Sequence, residues 1–288
     1  MNYKTLQELV SLAQSEEKEF WEIVVKEEAI SQNTQSELVF EQMRKMYQAM
    51  KRSVDQYDPN LKSPSGMSGG DGERMRRYRM NNEPIAGDFL SKIMETAIMV
   101  AESNACMKKI VAAPTAGSCG VLPAVLLVFE AEKGFREDRI IEALFVAAGI
   151  GQIIALNASI SGAVGGCQAE IGSASAMSAG SVAYLEGGDM EDILHAATLA
   201  LKNLLGLACD PVAGLVEVPC IKRNVSGAIN AVVSAQMALA GIRSVIPPDE
   251  VIGAMAAIGR EMPVCLKETG TGGLAATKTA KIIAGSLA

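Results

Sequence analysis

Three cysteines in this 288-residue sequence sit in settings that ordinary core thiols do not need. Cys167 lies in Gly-Gly-Cys-Gln-Ala-Glu (165–170), Cys209 in Ala-Cys-Asp-Pro-Val-Ala-Gly (208–214) and Cys220 in Val-Pro-Cys-Ile-Lys-Arg-Asn (218–224). Each occupies a turn-like break beside a strongly apolar stretch. Proline fixes φ and cannot donate a hydrogen bond, so Pro211 and Pro219 predict rigid positions outside helices for Cys209 and Cys220. A cysteine that merely fills a core has no use for that rigidity. Three thiolates on stiff backbone, in a chain with one histidine, suit a [4Fe–4S] cluster with one iron left open. An open iron is a Lewis acid and can do chemistry as well as carry electrons. The spacing alone matches neither common ferredoxin pattern. No Cys-x-x-Cys occurs, which argues against a zinc ribbon or a thioredoxin-type site.

Two further loops could meet a ligand. Ala-Pro-Thr-Ala-Gly-Ser-Cys-Gly-Val-Leu-Pro (113–123) is a small-residue loop leading into a helix. Exposed amides at a helix start bind carboxylate or phosphate, although no Gly-Lys-Ser/Thr closes the loop into a phosphate-binding P-loop. The plain alternative is an ordinary helix cap. Lys-Glu-Thr-Gly-Thr-Gly-Gly-Leu-Ala (267–275) combines a cation, an acid and flexible glycines able to wrap an anion, or is a surface turn. Cys119 is assigned to packing or the wall of the site, Cys106 to packing, and Cys265 stays open. His195 is flanked by Ile193, Leu194 and Leu199 and reads as structural.

Composition narrows the functional classes. The net charge is −7, and the one dense basic cluster, Arg74, Arg76, Arg77 and Arg79, is too short to argue for nucleic acid. A small-molecule ligand fits better. The span 143–169 carries no Asp, Glu, Lys or Arg and is long enough to cross a bilayer. It also contains Gln152, Asn157, Gln168 and many glycines and lacks aromatic and basic flanks, so it reads as a helix buried on all sides followed by a Gly-rich loop. The beginning, Met-Asn-Tyr-Lys-Thr-Leu-Gln-Glu, has no apolar signal core, and the expected location is the cytoplasm, where thiols stay reduced.

The elements that must hold these residues read as helices, and strand signals are weak. The expected fold is mostly α: a multi-helical catalytic domain with buried Ala/Gly-rich helices and an N-terminal helical arm. Residues 1–57 form the arm, with apolar faces Leu6/Leu9/Val10, Phe20/Ile23/Val24 and Val39/Met43/Met46/Met50. Residues 58–87 read as a Gly/Ser/Pro-rich loop segment, either facing a ligand or lying on the surface. Residues 88–288 form the iron–sulfur domain. There, helix starts are expected at Asp88, near Pro123, at Asp138, Asp189, Ser226 and Pro247-Pro248, with stops at Gly134, Gly206, Gly241 and Gly259 and a last helix from about Thr271 to Ile283.

The long motifs together resemble one family. Gly-Gly-Cys-Gln-Ala-Glu, Cys-Asp-Pro-Val-Ala-Gly-Leu-Val-Glu-Val-Pro-Cys-Ile-Lys-Arg-Asn, Pro-Thr-Ala-Gly-Ser-Cys-Gly, Lys-Glu-Thr-Gly-x-Gly-Gly-Leu-Ala and Ser-Gly-Met-Ser-Gly-Gly-Asp (65–71) are similar to the iron–sulfur-dependent L-serine dehydratases, specifically the α subunit of the two-subunit type. The resemblance covers nearly the whole chain. It implies that Cys167, Cys209 and Cys220 ligate a [4Fe–4S] cluster and that a separate β subunit completes the enzyme. Single-chain members end in a cysteine that reaches back to the cluster; this sequence ends Ile-Ala-Gly-Ser-Leu-Ala, so that feature is not carried over.

The expected reaction is a lyase reaction: loss of water from L-serine to aminoacrylate, then hydrolysis to pyruvate and ammonia. Thr115, Ala116, Gly117, Ser118 and Gly120 would hold the substrate carboxylate, and Lys267 would neutralise charge. Ser118, Ser173 and Ser175 are the hydroxyls available as the base, unless the β subunit provides it. A pyridoxal-phosphate dehydratase needs more sheet than this chain offers. A redox or oxygen-sensing cluster protein would be expected to close all four irons with protein ligands, and the loop at 113–123 favours an enzyme.

Overall fold

The computed structural model describes residues 2–287 and is mostly helical, as the sequence predicts. The chain runs through α1 (Leu6–Ser15), α2 (Phe20–Ser31), α3 (Ser36–Asp55), α4 (Asp71–Asn81), α5 (Gly87–Ala105), α6 (Val121–Lys133) and α7 (Glu137–Asn157). It continues through α8 (Gly162–Gly165), α9 (Ser173–Leu185), α10 (Met190–Lys202), α11 (Cys220–Leu239), α12 (Pro248–Glu261) and α13 (Lys278–Leu287). No named strand occurs among the described residues; one isolated parallel bridge joins Cys209 to Lys267.

The centre of the molecule is α9, all of whose residues are buried. Its sequence, Ser-Ala-Ser-Ala-Met-Ser-Ala-Gly-Ser-Val-Ala-Tyr-Leu, explains that position. Small side chains let α6, α7, α10 and α11 pack against it on several sides. A β-carbon on Gly151 of α7 would come within 2.9 Å of the Met177 sulfur of α9. Two of its serines find acceptors on the neighbouring helices. Ser175 donates to the Gly227 carbonyl at 2.8 Å and Ser181 to the Ala143 carbonyl at 2.7 Å, pinning α9 to α11 and α7. α7 is long and apolar enough to cross a membrane by length and composition, and most of it is buried in this core. Leu9, Phe20, Ile23 and Tyr47, from the segment 1–57, are fully buried in the same apolar cluster.

Several boundaries differ from the sequence reading. α4 sits inside the segment expected to be loop. Its surface carries Arg74, Arg76 and Arg77, and its apolar Tyr78 and Met80 are themselves exposed, so no buried apolar stripe gave it a periodic signal. What holds it is remote. The Glu102 carboxylate on α5, buried, accepts from the N–H groups of Gly69, Asp71 and Gly72 at 2.9–3.1 Å and from the Tyr57 hydroxyl at 2.6 Å. A carboxylate at a helix N-terminus satisfies the first unpaired amides and complements the dipole. Glu102→Ala is expected to destabilise the fold by about 2–4 kcal/mol, because several buried donors lose their acceptor together. Urea unfolding and hydrogen exchange at 71–81 would show it; unchanged protection there would remove Glu102 from this role.

Asp138 does not cap α7. The cap position is Arg136, while Asp138 lies in the first turn and pairs with Arg44 at 2.8 Å. Asp88 likewise lies inside the first turn of α5, paired with Arg79 and Lys92. Asp189 does cap α10, but that helix ends at Lys202 rather than Gly206. The expected last helix is split. Gly273–Ala276 forms a 3-10 turn held by Asp210 before α13 starts at Lys278, with the Leu274 N–H donating to Asp210 Oδ2 at 2.7 Å.

Candidate active site

The three predicted cysteines come from three separate structures, and Cys209 and Cys220 both lie within electrostatic reach of Cys167. Cys167 ends the turn after α8, and a single π-helical turn, Gln168–Gly172, leads directly from it into α9. π-turns of this kind concentrate at functional positions. Gln168, fully buried, fixes the turn: its Oε1 accepts from the Gly206 N–H at 2.9 Å, its Nε2 donates to the Met255 carbonyl at 3.1 Å, and its own N–H donates to the Leu207 carbonyl. The Cys167 turn is thereby tied to the segment that delivers Cys209. Cys209 is held in turn by backbone bonds to the 266–268 segment, donating to Leu266 O at 2.8 Å and accepting from the Glu268 N–H at 2.7 Å. Cys220 was expected outside helices. It is instead the first residue of α11, with Pro219 as the cap. A proline before a helix limits the entry geometry without forbidding the helix that follows.

All three cysteines are buried and none forms a disulfide. The neighbouring Cys209 thiol, more than anything else, holds the Cys167 thiol below its ordinary pKa. Arg223, one turn into α11, lends positive charge to the same sulfur. Burial and the Cys167 charge push Cys220 up to about 12, while the Cys167 thiol, with burial, drives Cys209 strongly upward. Arg223 is itself anchored: Nη1 donates to the Ala208 carbonyl at 2.7 Å, and Nη2 lies 2.9 Å from Asp210 Oδ1, though off the hydrogen-bonding direction.

The loop at 113–123 closes against this cysteine site. Thr115 precedes a 3-10 turn, Ala116–Ser118, and α6 follows at Val121. Its connector to the cysteines is Asn224, which sequence reasoning left unassigned. Asn224 Oδ1 accepts from the Gly120 N–H at 2.8 Å, and Nδ2 donates to the carbonyls of Gly117 at 2.8 Å and Cys220 at 2.9 Å. The Gly120 N–H is therefore taken up within the protein. By helix geometry the first amides of the turn, those of Ala116 and Gly117, lack intrahelical acceptors. Ser118 Oγ is fully buried and lies 3.1 Å from Thr115 Oγ1.

Glu170 is the second residue the sequence reading did not single out. Thr115 Oγ1 donates to its Oε1 at 2.8 Å, and its Oε2 lies 3.9 Å from Cys209 Sγ. A β-carbon on Gly117 would sit 3.1 Å from both carboxylate oxygens, and one on Gly162 would sit 2.9 Å from Oε2 and from Cys209 Sγ. Glycine at these positions keeps the space beside the thiol and the carboxylate open. Burial raises the Glu170 pKa, opposed by the Thr115 hydrogen bond. A signal for both residues existed in the sequence. Glu170 follows Cys167 by one helical turn, and Asn224 follows Cys220 by one turn.

The other candidates separate. The backbone of Lys267 pairs with Cys209, and its side chain is half-buried. Ser175 is engaged with Gly227 and Asn230, whereas Ser173 Oγ is buried without a partner. Cys119 is buried and pushed up to about 12 by desolvation; Cys265 is exposed. Arg74 and Arg77 pair with acids of their own helix, and Arg79 with Glu95 and Asp88.

His195 packs structurally: its Nδ1 accepts from the Ser244 N–H at 3.1 Å, and burial lowers its pKa below that of a free imidazole. A histidine held neutral by the fold binds fewer protons than in the unfolded chain. Stability is therefore retained above pH of about 6.5 and falls as the pH drops below it. Urea midpoints at pH 7.5 and 5.5 should differ less in His195→Gln than in the parent; an equal difference would dismiss the linkage.

No three of the described His, Cys, Asp or Glu side chains already converge on a single metal ion. That is compatible with a cluster, in which each thiolate binds a different iron. Three buried unpaired thiols, an adjacent arginine and the glycine-lined space beside Cys209 fit such a group.

Residues 15–275 match the family described as serine dehydratase alpha chain. A Bacillus subtilis (strain 168) protein named probable L-serine dehydratase, alpha chain, is 42% identical over 279 residues, covering 97% of this chain and 93% of the relative. The L-serine dehydratase, alpha chain, of Peptoniphilus asaccharolyticus is 41% identical over 283 residues, covering 97% and 96%. The L-serine dehydratase of Helicobacter pylori (strain ATCC 700392 / 26695) is 36% identical over 283 residues, covering 96% of this chain but 62% of that longer protein.

Proposed function

This chain belongs to the serine dehydratase alpha-chain family, and on that premise we propose that it is the catalytic subunit of an L-serine dehydratase, releasing pyruvate and ammonia from L-serine. The observation that carries the reading is the junction of two motifs: the buried cysteines and the 113–123 loop, bridged by Asn224 and Glu170. Cys167, Cys209 and Cys220 would hold a [4Fe–4S] cluster. When bound, it supplies a Lewis-acidic iron that makes the β-hydroxyl a better leaving group.

The chain's own residues orient the substrate. The Ala116 and Gly117 amides face no intrahelical acceptor and are suited to a carboxylate. Thr115 and Ser118 form a hydroxyl pair beside it, with Thr115 anchored to Glu170, and Ser118 would be the serine that moves a proton. Arg223 brings positive charge to the thiolate side of the site, and Lys267, whose backbone pairs with Cys209, would be the second cation there. The alpha-chain names of the relatives point to a beta subunit as partner, and thiols that must stay reduced point to the cytoplasm.

The test is the anaerobically purified chain, co-expressed with a beta chain and assayed on L-serine. Pyruvate and ammonia in equal amounts, insensitive to borohydride, are expected. Borohydride inactivation would reveal an imine cofactor and replace the cluster reading with pyridoxal chemistry.

A further inference from the structure

Glu170 is a half-buried carboxylate without a cation. Thr115 Oγ1, Cys209 Sγ and the faces of Gly117 and Gly162 surround it, and no lysine, arginine or histidine nitrogen pairs with it among the described residues. A partly desolvated carboxylate is costly to keep ionised without positive charge, and a cationic group on a bound ligand would supply that charge. Its position says where from. Both carboxylate oxygens lie against Gly117, in the turn whose open amides suit the carboxylate of a substrate. An anion-binding turn with a carboxylate alongside is an electrostatic contradiction for a simple anion. For a zwitterion, whose ammonium and carboxylate leave the same carbon, it is complementary.

The geometry points to Glu170 as the residue that recognises the α-ammonium group of the substrate, so that the site selects α-amino acids over hydroxy acids and simple carboxylates. This rests on the dehydratase reading above. Thr115 then has a definite part: its hydroxyl fixes one carboxylate oxygen at 2.8 Å and leaves Oε2, on the Cys209 side, to meet the ligand. Gly162 and Gly117 are small because a side chain at either would occupy the space between the carboxylate and its guest.

The test uses Glu170→Gln in the cluster-loaded enzyme with its beta chain, since glutamine keeps the shape and the oxygen that accepts from Thr115. Two probes separate recognition of charge from simple integrity. L-Serine carries the ammonium; 3-hydroxypropanoate is the same molecule without it. The KM for L-serine should rise about 30-fold or more, as expected when one partner of a desolvated charge pair is neutralised, while kcat changes far less. The affinity for 3-hydroxypropanoate, measured by anaerobic calorimetry, should be unchanged or tighter. Iron per chain should match the parent. An unchanged KM, a parallel loss of affinity for both probes, or a fall in iron content would each overturn the assignment, the last by making Glu170 a support of the cluster. A parent enzyme that makes no pyruvate from L-serine would overturn the dehydratase reading, and this assignment with it, before any variant is compared.

Discussion

Replacing any one of Cys167, Cys209 or Cys220 by alanine should abolish both the cluster and turnover, dropping pyruvate formation by on the order of 10³-fold or more. The size follows from what is removed. Lewis-acid stabilisation of a leaving oxygen is worth several kcal/mol, and each 1.36 kcal/mol is about tenfold in rate. The three should behave alike, because they are delivered by three rigid devices with no redundancy: the Gln168 staple, the pairing of Cys209 with the 266–268 segment, and the start of α11. Cys119→Ala and Cys265→Ala serve as comparisons. Neither thiol is joined to the cluster of three, and both variants should keep their iron. Iron and sulfide analysis beside a pyruvate assay reads all five. A Cys167, Cys209 or Cys220 variant that retains cluster and activity leaves the ligand set.

The second large effect is expected at Asn224. Its side chain is buried and makes three hydrogen bonds, to Gly120, Gly117 and Cys220. Asn224→Ala leaves a buried N–H and two carbonyls without that partner, which should cost about 3–4 kcal/mol of stability. The functional loss should be about 10²-fold in kcat/KM even in protein that remains folded, because the 116–120 turn would no longer be held to the cysteine side, and small misplacements of positioning groups carry costs of that size. Asn224→Asp gives a sharper comparison. It keeps the acceptor for Gly120 but replaces the donor with a carboxylate oxygen facing the two carbonyls, so it should cost at least as much as alanine. Anaerobic urea unfolding and steady-state kinetics on both variants check the account. Wild-type kinetics in a destabilised Asn224→Ala would confine Asn224 to folding.

The helical class and the burial of α7 were legible in composition, because apolar runs without β-branched alternation are local features. α4 was not. Its stability resides in Glu102, on another helix, and in amides that no periodicity records. The placement of Cys220 was misread for a related reason: proline marks a break, but whether the break lies before or inside the functional turn is decided by the helix that begins there. Glu170 and Asn224 stood in plain view within quoted motifs. Their importance is a matter of partners distant in sequence, Thr115 and Gly117 for one, Gly117 and Gly120 for the other, and a pattern within one motif does not reveal the contact between two.

The central claim is that this chain's three cysteines hold the group that performs the dehydration. The most direct measurement is iron and acid-labile sulfide per chain, tracked together with pyruvate formation from L-serine, on anaerobically prepared enzyme as it is exposed to air. About four irons and four sulfides per chain, lost in step with activity and regained together on anaerobic reconstitution, are the predicted result. Full activity in iron-free protein would contradict it.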